Sequence, residues 1–201
     1  MINKPYSAAS ERNGEPILGL LQQWFADRRH VLEIGSGTGQ HAVRFATAMP
    51  HLIWQSSDRA EHLPGIRLWL DEADLPNTPA PLELDVMGAW PCWRYDAIFS
   101  ANTLHIMAWH EVESFFASLS GVTTDDACVA IYGPFNIDGQ FTSESNAAFD
   151  RELKMRAAHM GIRDTSDVDG LAASVGFDLA EDIAMPANNR LRLWRRRGAG
   201  S

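Results

Sequence analysis

Cysteine, lysine and long apolar runs are what this 201-residue chain has least of. Its two cysteines, Cys92 and Cys128, lie far apart beside different apolar segments. Reduced thiols in or near the core suit them better than a staple or a metal site. Seven histidines are scattered without ligand spacing, His105 and His110 being the nearest useful pair, so no metal is expected. No stretch comes near the roughly 18 uninterrupted apolar residues that span a bilayer. The polar start Met1-Ile2-Asn3-Lys4-Pro5 has no signal-peptide core, and the chain is expected in the cytoplasm, off the membrane.

Lysine occurs only at Lys4 and Lys154, and the formal net charge is -9. An acidic protein is repelled by phosphate backbones, which argues against nucleic-acid substrates. One basic run, Arg190 to Arg197, alternates with Leu191, Leu193 and Trp194 and reads as a terminal strand with one solvated face. Repeats and low-complexity linkers are also absent. With 45% hydrophobic and 21% charged residues, a single domain with a sizeable core is expected over 1–201.

What is present is an alternation of strand-like and helix-like segments, the pattern of an α/β fold with a mainly parallel sheet. Seven strands are predicted: Val31 to Ile34, Leu52 to Ser56, Ala80 to Leu84, Tyr95 to Ser100, Cys128 to Tyr132, Leu179 to Met185 and Arg190 to Arg195. Helices are predicted near Pro16 to Asp27, Gln40 to Ala48, Pro64 to Glu72, His110 to Ser120, Ser143 to His159 and Asp167 to Val175. Thr142 or Ser143 can cap the long fifth helix, Thr165 to Val168 leads into the sixth, and Gly121 and Gly176 are stop signals. Pro186-Ala187-Asn188-Asn189 is turn-rich, so the last two strands should form a hairpin. Gly198 to Ser201 is expected to be disordered, and Met1 to Tyr6 ordered only where contacts hold it.

The densest signal is Val31-Leu32-Glu33-Ile34-Gly35-Ser36-Gly37-Thr38-Gly39, a short buried strand running into a glycine turn and then a helix. In open parallel sheets ligands sit beyond the carboxyl ends of the strands, where glycine lets backbone approach them closely. Gln40 stands where a dinucleotide fingerprint places its third glycine or alanine. Glu33, at the mouth of the strand, would repel a pyrophosphate and attract a cation. An NAD-dependent dehydrogenase is disfavoured by these two residues and by the terminal hairpin. About twenty positions on, Asp58 ends the second strand, where a carboxylate can accept both hydroxyls of a ribose.

This stretch resembles the first motif of class I, Rossmann-like, S-adenosylmethionine-dependent methyltransferases: an acidic residue, any residue, then Gly-x-Gly-x-Gly. The resemblance implies a seven-stranded, mostly parallel sheet with a C-terminal antiparallel hairpin and helices on both faces. It implies S-adenosylmethionine as cofactor, held by Glu33, Gly35, Ser36, Gly37, Gly39 and Asp58, with Asp85 accepting from the adenine amino group and the Val86 amide donating to a ring nitrogen. It places Asn102 on the methyl-transfer cleft. Asn102 is followed by Thr103 and Leu104 instead of two prolines and an aromatic, so base-amino methylation of nucleic acid is disfavoured.

Further segments narrow the resemblance: Ser10 to Ile17, Tyr132-Gly133-Pro134-Phe135, Thr142 to Asn146 with Phe149-Asp150, Gly161-Ile162-Arg163-Asp164 and Met185 to Asn189. Together they are similar to the poorly characterised family that includes methyltransferase-like protein 26. Arg12 and Asn13 precede a helix placed as an N-terminal lid (about residues 7–27), where they suit a carboxylate, the cofactor's own or a substrate's. Tyr132 and Phe135 can form an aromatic wall beside the methyl group. The connection at about residues 136–163, longer than usual, is read as a cap carrying Glu144, Asn146, Asp150 and Arg163.

Methyl transfer mainly requires alignment, with a base only where the acceptor must lose a proton. His105 is the first candidate for that base and Tyr132 the second. Structural roles compete at several positions: a solvated carboxylate at Asp58, a cap at Asp85, a surface ion pair at Arg12, core packing for Tyr132, Phe135 and His105. The expected activity is methyl transfer to a small polar molecule or a protein side chain. The alternative is a module that binds the cofactor or S-adenosylhomocysteine without turnover.

Overall fold

The computed structural model describes residues 3–198. In chain order its first half comprises α1 (Ala8–Trp24), β1 (His30–Ile34), α2 (Gln40–Ala48), β2 (Ile53–Asp58), α3 (Leu63–Ala73), β3 (Leu82–Glu83), β4 (Tyr95–Ala101) and α4 (Trp109–Val122). There follow β5 (Thr123–Gly133), β6 (Phe135–Ile137), β7 (Gln140–Phe141), α5 (Glu144–Arg156), β8 (Arg163–Asp164), α6 (Thr165–Ser174), β9 (Phe177–Met185) and β10 (Asn189–Arg196). The predicted tail lies outside the described residues from position 199 on.

One seven-stranded sheet has the order β3-β2-β1-β4-β5-β10-β9. β1 pairs in parallel with both β2 and β4, and β10 runs antiparallel to both of its neighbours. The sequence turns back at β1, so the carboxyl ends of β1, β2 and β4 open onto the switch-point crevice where such sheets place ligands. Strand alternation sends Val31 to one face and Leu32 and Ile34 to the other. The first face is covered through Ile17, Leu21, Phe45 and Ile66 from α1, α2 and α3, the second through Phe115, Phe116, Val168 and Ala172 from α4 and α6. No described helix is long and apolar enough to cross a membrane.

The first helix begins at Ala8, well before Pro16, because Ser7 caps it: the Ser10 amide donates to Ser7 Oγ at 3.1 Å. Gly14 and Pro16 weaken local helix propensity, but Gly14 brings the helix against α2, where an added Cβ would meet the Arg44 side chain at 2.7 Å. Tertiary packing overrides the local signal. Within the start of the chain Lys4 and Pro5 are held by contacts: Lys4 pairs with Glu72 at 2.7 Å and lies over the Trp69 ring, and Trp69 Nε1 donates to the Pro5 carbonyl at 2.7 Å.

Ser143 caps α5 and Gly176, at φ 89, follows α6 in the left-handed conformation. Gly121 does not stop α4, which runs to Val122 and passes directly into β5. A second sheet of order β7-β6-β8 was not expected. Asp138-Gly139, both at positive φ, turn its hairpin, and that dipeptide is the sequence signal for it.

β10 is an interior strand, so the reading of a solvated basic face does not hold at Arg192, which is 1% exposed. Its guanidinium bonds both Asp169 oxygens, at 2.7 and 2.6 Å, and also Asp182. Arg195 covers the Trp24 ring at 4.6 Å.

Candidate functional site

A cavity of about 1160 Å³ opens at the carboxyl ends of β1, β2 and β4. Its walls come from the N-terminal segment, the glycine turn, the residues after β2, β3 and β4, the first turn of α4, and Phe149, His159 and Met160.

The glycine turn is drawn tightly onto the sheet. Gly35, Gly37 and Gly39 have φ 74, 58 and 90, values that favour glycine. A Cβ on Gly35 would lie 2.7 Å from Thr103 Cγ2, and one on Gly39 3.2 Å from the Ile66 backbone, whereas one on Gly37 would enter open space. The amides of Gly35 and Ser36 both donate to the Ser57 carbonyl at 3.0 Å, and the Gly37 amide donates to Asp58 Oδ2 at 2.7 Å. These amides are consumed by β2 and offer no array for a phosphate, in contrast to an anion-binding nest. Asp58 lines the same cavity, its second oxygen accepting from the Arg59 amide at 2.8 Å.

Arg59, overlooked in the sequence, lines the cavity beside Asp58. Its guanidinium reaches Asp85 Oδ2 at 3.5 Å and bonds Glu111, tying the ends of β2 and β3 to the start of α4. Leu84, Val86, Ile106 and Met107 supply apolar wall. The Val86 carbonyl is held by Ser114 Oγ at 2.6 Å and Trp90 Nε1 at 3.1 Å, which fixes the backbone there.

Beyond β4, Asn102 adopts φ 58 and its amide donates to the Tyr132 carbonyl at 2.8 Å. His105 lines the inner end of the cavity, its ring edge-on to Phe149 with centroids 5.3 Å apart. Burial, reinforced by the nearby Arg163 cation, pushes the imidazole down to about 4, so it is neutral at neutral pH. His41, in the first turn of α2, is a second buried imidazole on this wall that the sequence reading passed over. It hydrogen-bonds Asn13 Oδ1 at 2.7 Å and is likewise pushed down to about 4 by burial.

Of the residues singled out in the sequence, the cavity thus gathers Gly35, Ser36, Gly37, Asp58, Val86, Asn102 and His105. Others are placed elsewhere. Glu33 is 1% exposed and points from β1 into the α2 face, where it accepts from Trp54 Nε1 at 2.9 Å. Burial pushes its carboxyl up to about 7, so it braces the turn from beneath instead of facing a cation. Gly39 serves helix packing against Ile66. Asp85 closes a turn, accepting from the Met87 amide at 2.9 Å, and its side chain turns to Arg59. Arg12 is exposed and Asn13 is buried behind the wall against His41. Tyr132 falls by strand parity on the α1 face, its phenol raised above the ordinary range by burial beside Asn13 and Asn189. Phe135 packs on the opposite face under Arg192, so the two aromatics form no common wall at the cavity. Among the described residues no group of three His, Cys, Asp or Glu is placed to hold a metal.

Sheet order, the antiparallel penultimate position of β10 and a crevice at the switch point define the Rossmann-like, class I methyltransferase fold. An O-methyltransferase family protein from Burkholderia thailandensis matches with TM-score 0.83 and 17% identity over 95% of this chain and 58% of that one. Mitomycin 7-O-methyltransferase matches with TM-score 0.83 and 17% identity over 94% and 55%. Human N-acetylserotonin methyltransferase, solved with S-adenosylmethionine (SAM), matches with TM-score 0.74 and 16% identity over 95% and 53%. At these identities the likeness is one of fold, and the chain spans little more than half the length of those proteins. The chain belongs to the family described as Protein of unknown function (DUF938), whose model matches residues 4–196.

Proposed function

We propose that the protein is an S-adenosylmethionine-dependent methyltransferase acting on a small polar molecule or a protein side chain, and that it is kin to the methyltransferase-like protein 26 family. The observation that carries this reading is the glycine turn: its amides are spent on β2 while Asp58 faces the cavity, which suits a nucleoside without phosphates. The volume of about 1160 Å³ exceeds the usual range of small-molecule pockets, roughly 300 to 1,000 Å³, leaving space for an acceptor beside the cofactor.

When bound, the cofactor supplies an electrophilic methyl group on a sulfonium sulfur. Gly35, Ser36 and Gly37 form the close backbone approach, Asp58 takes the ribose hydroxyls, and Leu84, Val86, Ile106 and Met107 enclose the base. Asn102, His105 and Phe149 line the acceptor end and exclude water. Neutral His105 takes the acceptor's proton. Held near 4, it is a weak base, matched to acceptors that ionise readily.

Calorimetric titration with S-adenosylmethionine and S-adenosylhomocysteine tests the reading. Saturable heat is expected for both, and none at millimolar ligand overturns it. A second reading, a module that binds without turnover, draws on the placement of Tyr132 away from the cavity and on the low basicity of His105. Tight binding with no labelled methyl transferred to any acceptor in a broad metabolite pool would favour it.

A further inference from the structure

Gly161-Ile162-Arg163-Asp164 plays no part in the cofactor end, yet it touches the turn that carries His105 at three of its carbonyls. Arg163 Nε donates to the Leu104 carbonyl at 3.1 Å, and its Nη2 donates to the carbonyls of Met107 and, at 3.1 Å, His159. The Gly161 amide donates to the His105 carbonyl at 2.9 Å. Carbonyls 104, 105 and 107 are therefore all held from one short segment. Within the turn, the amides of Ile106 and Met107 donate to the Thr103 carbonyl at 3.1 and 3.3 Å.

The segment is itself anchored. The Ile162 amide donates to Asp150 Oδ1 at 2.8 Å, and Asp150 is 3% exposed. Arg163 pairs in β8 with Phe135 of β6, and its guanidinium lies over the Trp109 ring at the start of α4. Among the described residues Arg163 forms no ion pair. A half-buried cation placed on carbonyl dipoles, whose desolvation lowers its pKa, is a costly way to fill space and an effective way to orient three carbonyls.

We propose that Arg163 is the positioning residue of the acceptor end: its planar fork clamps the turn at residues 104–107 and so fixes where His105 stands in the cavity. This rests on the reading of the cavity given above, with the cofactor at the glycine turn and the acceptor at His105. Arg163, in β8, is the charged neighbour that acts on His105; the other titratable groups around the same cavity are His159 before β8, His41 on α2, His110 and Glu111 on α4, and Asp58 and Arg59 on the β2 side.

The test uses the whole chain, with Arg163→Met removing charge and fork and Arg163→Lys keeping the charge but not the fork. Amide hydrogen exchange and the ring titration of His105 are followed by NMR. Losing one or two hydrogen bonds should speed exchange at Ile106 and Met107 about tenfold in both variants. The His105 midpoint should rise by about one pH unit in Arg163→Met and by less in Arg163→Lys, which retains the cation. Leu32 and Val129, inside the sheet, are the reference amides and should not change. Exchange at Ile106 and Met107 matching the wild type in both variants overturns the proposal. So does equal acceleration at Leu32 and Val129, because Arg163 would then hold up the fold at large. S-adenosylhomocysteine titrated into the wild type separates the two claims: absence of binding removes the cofactor reading, while the clamp is still decided by exchange.

Discussion

Replacing Glu33 by Gln should change how stability depends on pH in a way no surface substitution would. The carboxyl is fully buried beneath the glycine turn, hydrogen-bonded to Trp54 Nε1 at 2.9 Å and pushed up to about 7 from its ordinary 4.5. Because the folded state holds this proton more tightly than the unfolded chain does, Glu33 contributes fully at low pH, and the contribution is lost as pH rises from 4.5 through about 7. At about 1.4 kcal/mol for each pH unit, the gap amounts to about 3 kcal/mol. Glutamine keeps the shape and the acceptor for Trp54 but cannot ionise. His41 and His105, both pushed down to about 4, act in the opposite sense, removing stability as pH falls from 6.5 towards 4. They are common to both proteins and cancel in the difference. Urea unfolding followed by tryptophan fluorescence should therefore show the variant gaining about 2 to 3 kcal/mol on the wild type between about pH 5 and pH 8. Parallel stability profiles over that range would refute the reasoning, since Glu33 would then be solvated or ionised in the folded protein.

Asp58→Asn removes the charged acceptor proposed for the ribose and should weaken S-adenosylhomocysteine about tenfold to a hundredfold, read by calorimetry; an unchanged Kd removes that role. Gly35→Ala drives a Cβ to 2.7 Å from Thr103 at positive φ, whereas Gly37→Ala meets only open space at φ 58. Thermal denaturation should accordingly show the first variant losing clearly more than the roughly 1 kcal/mol of left-handed strain that both share, and equal losses would contradict the geometry. His105→Gln should leave S-adenosylhomocysteine affinity within about threefold while lowering methyl transfer about a hundredfold or more, and retained turnover would exclude it as the base.

Much of this was legible because it is local. β1, the glycine turn and α2 were predicted from an apolar run, three glycines and a 3.6-residue period, and α2 falls on the predicted Gln40 to Ala48. The hairpin of β9 and β10 follows from its turn residues, with Ala187 and Asn188 at positive φ. Asp58 could be singled out because the end of the second strand must lie beside the first βα turn in any sheet of this order. The small sheet escaped notice because strands of two or three residues have no periodicity, although Asp138-Gly139 marked its hairpin. His41 and Arg59 escaped because nothing in their neighbourhood distinguishes a helix-surface histidine or a loop arginine from one turned inward, and Arg163, named in the sequence as part of the cap, carried no local sign that it would hold the carbonyls of residues 104 and 107.

What the sequence determined by itself was the succession of elements, the backbone freedom at Gly35 to Gly39 and the carboxylate at the end of β2. These are consequences of periodicity and of glycine stereochemistry, which act over a few residues. Only the tertiary structure decided which face each strand residue meets. Insertion of β10 between β5 and β9 buries Arg192, and strand parity takes Glu33 and Tyr132 to the α1 and α2 face and away from the cavity. The acceptor end is likewise a product of distance in sequence, because Leu104 to Met107 are held by carbonyl contacts from residues 161 and 163, more than fifty positions later. Hydrogen bonds of that separation depend on the sheet order and the path of the 136–163 connection, and no local pattern encodes them.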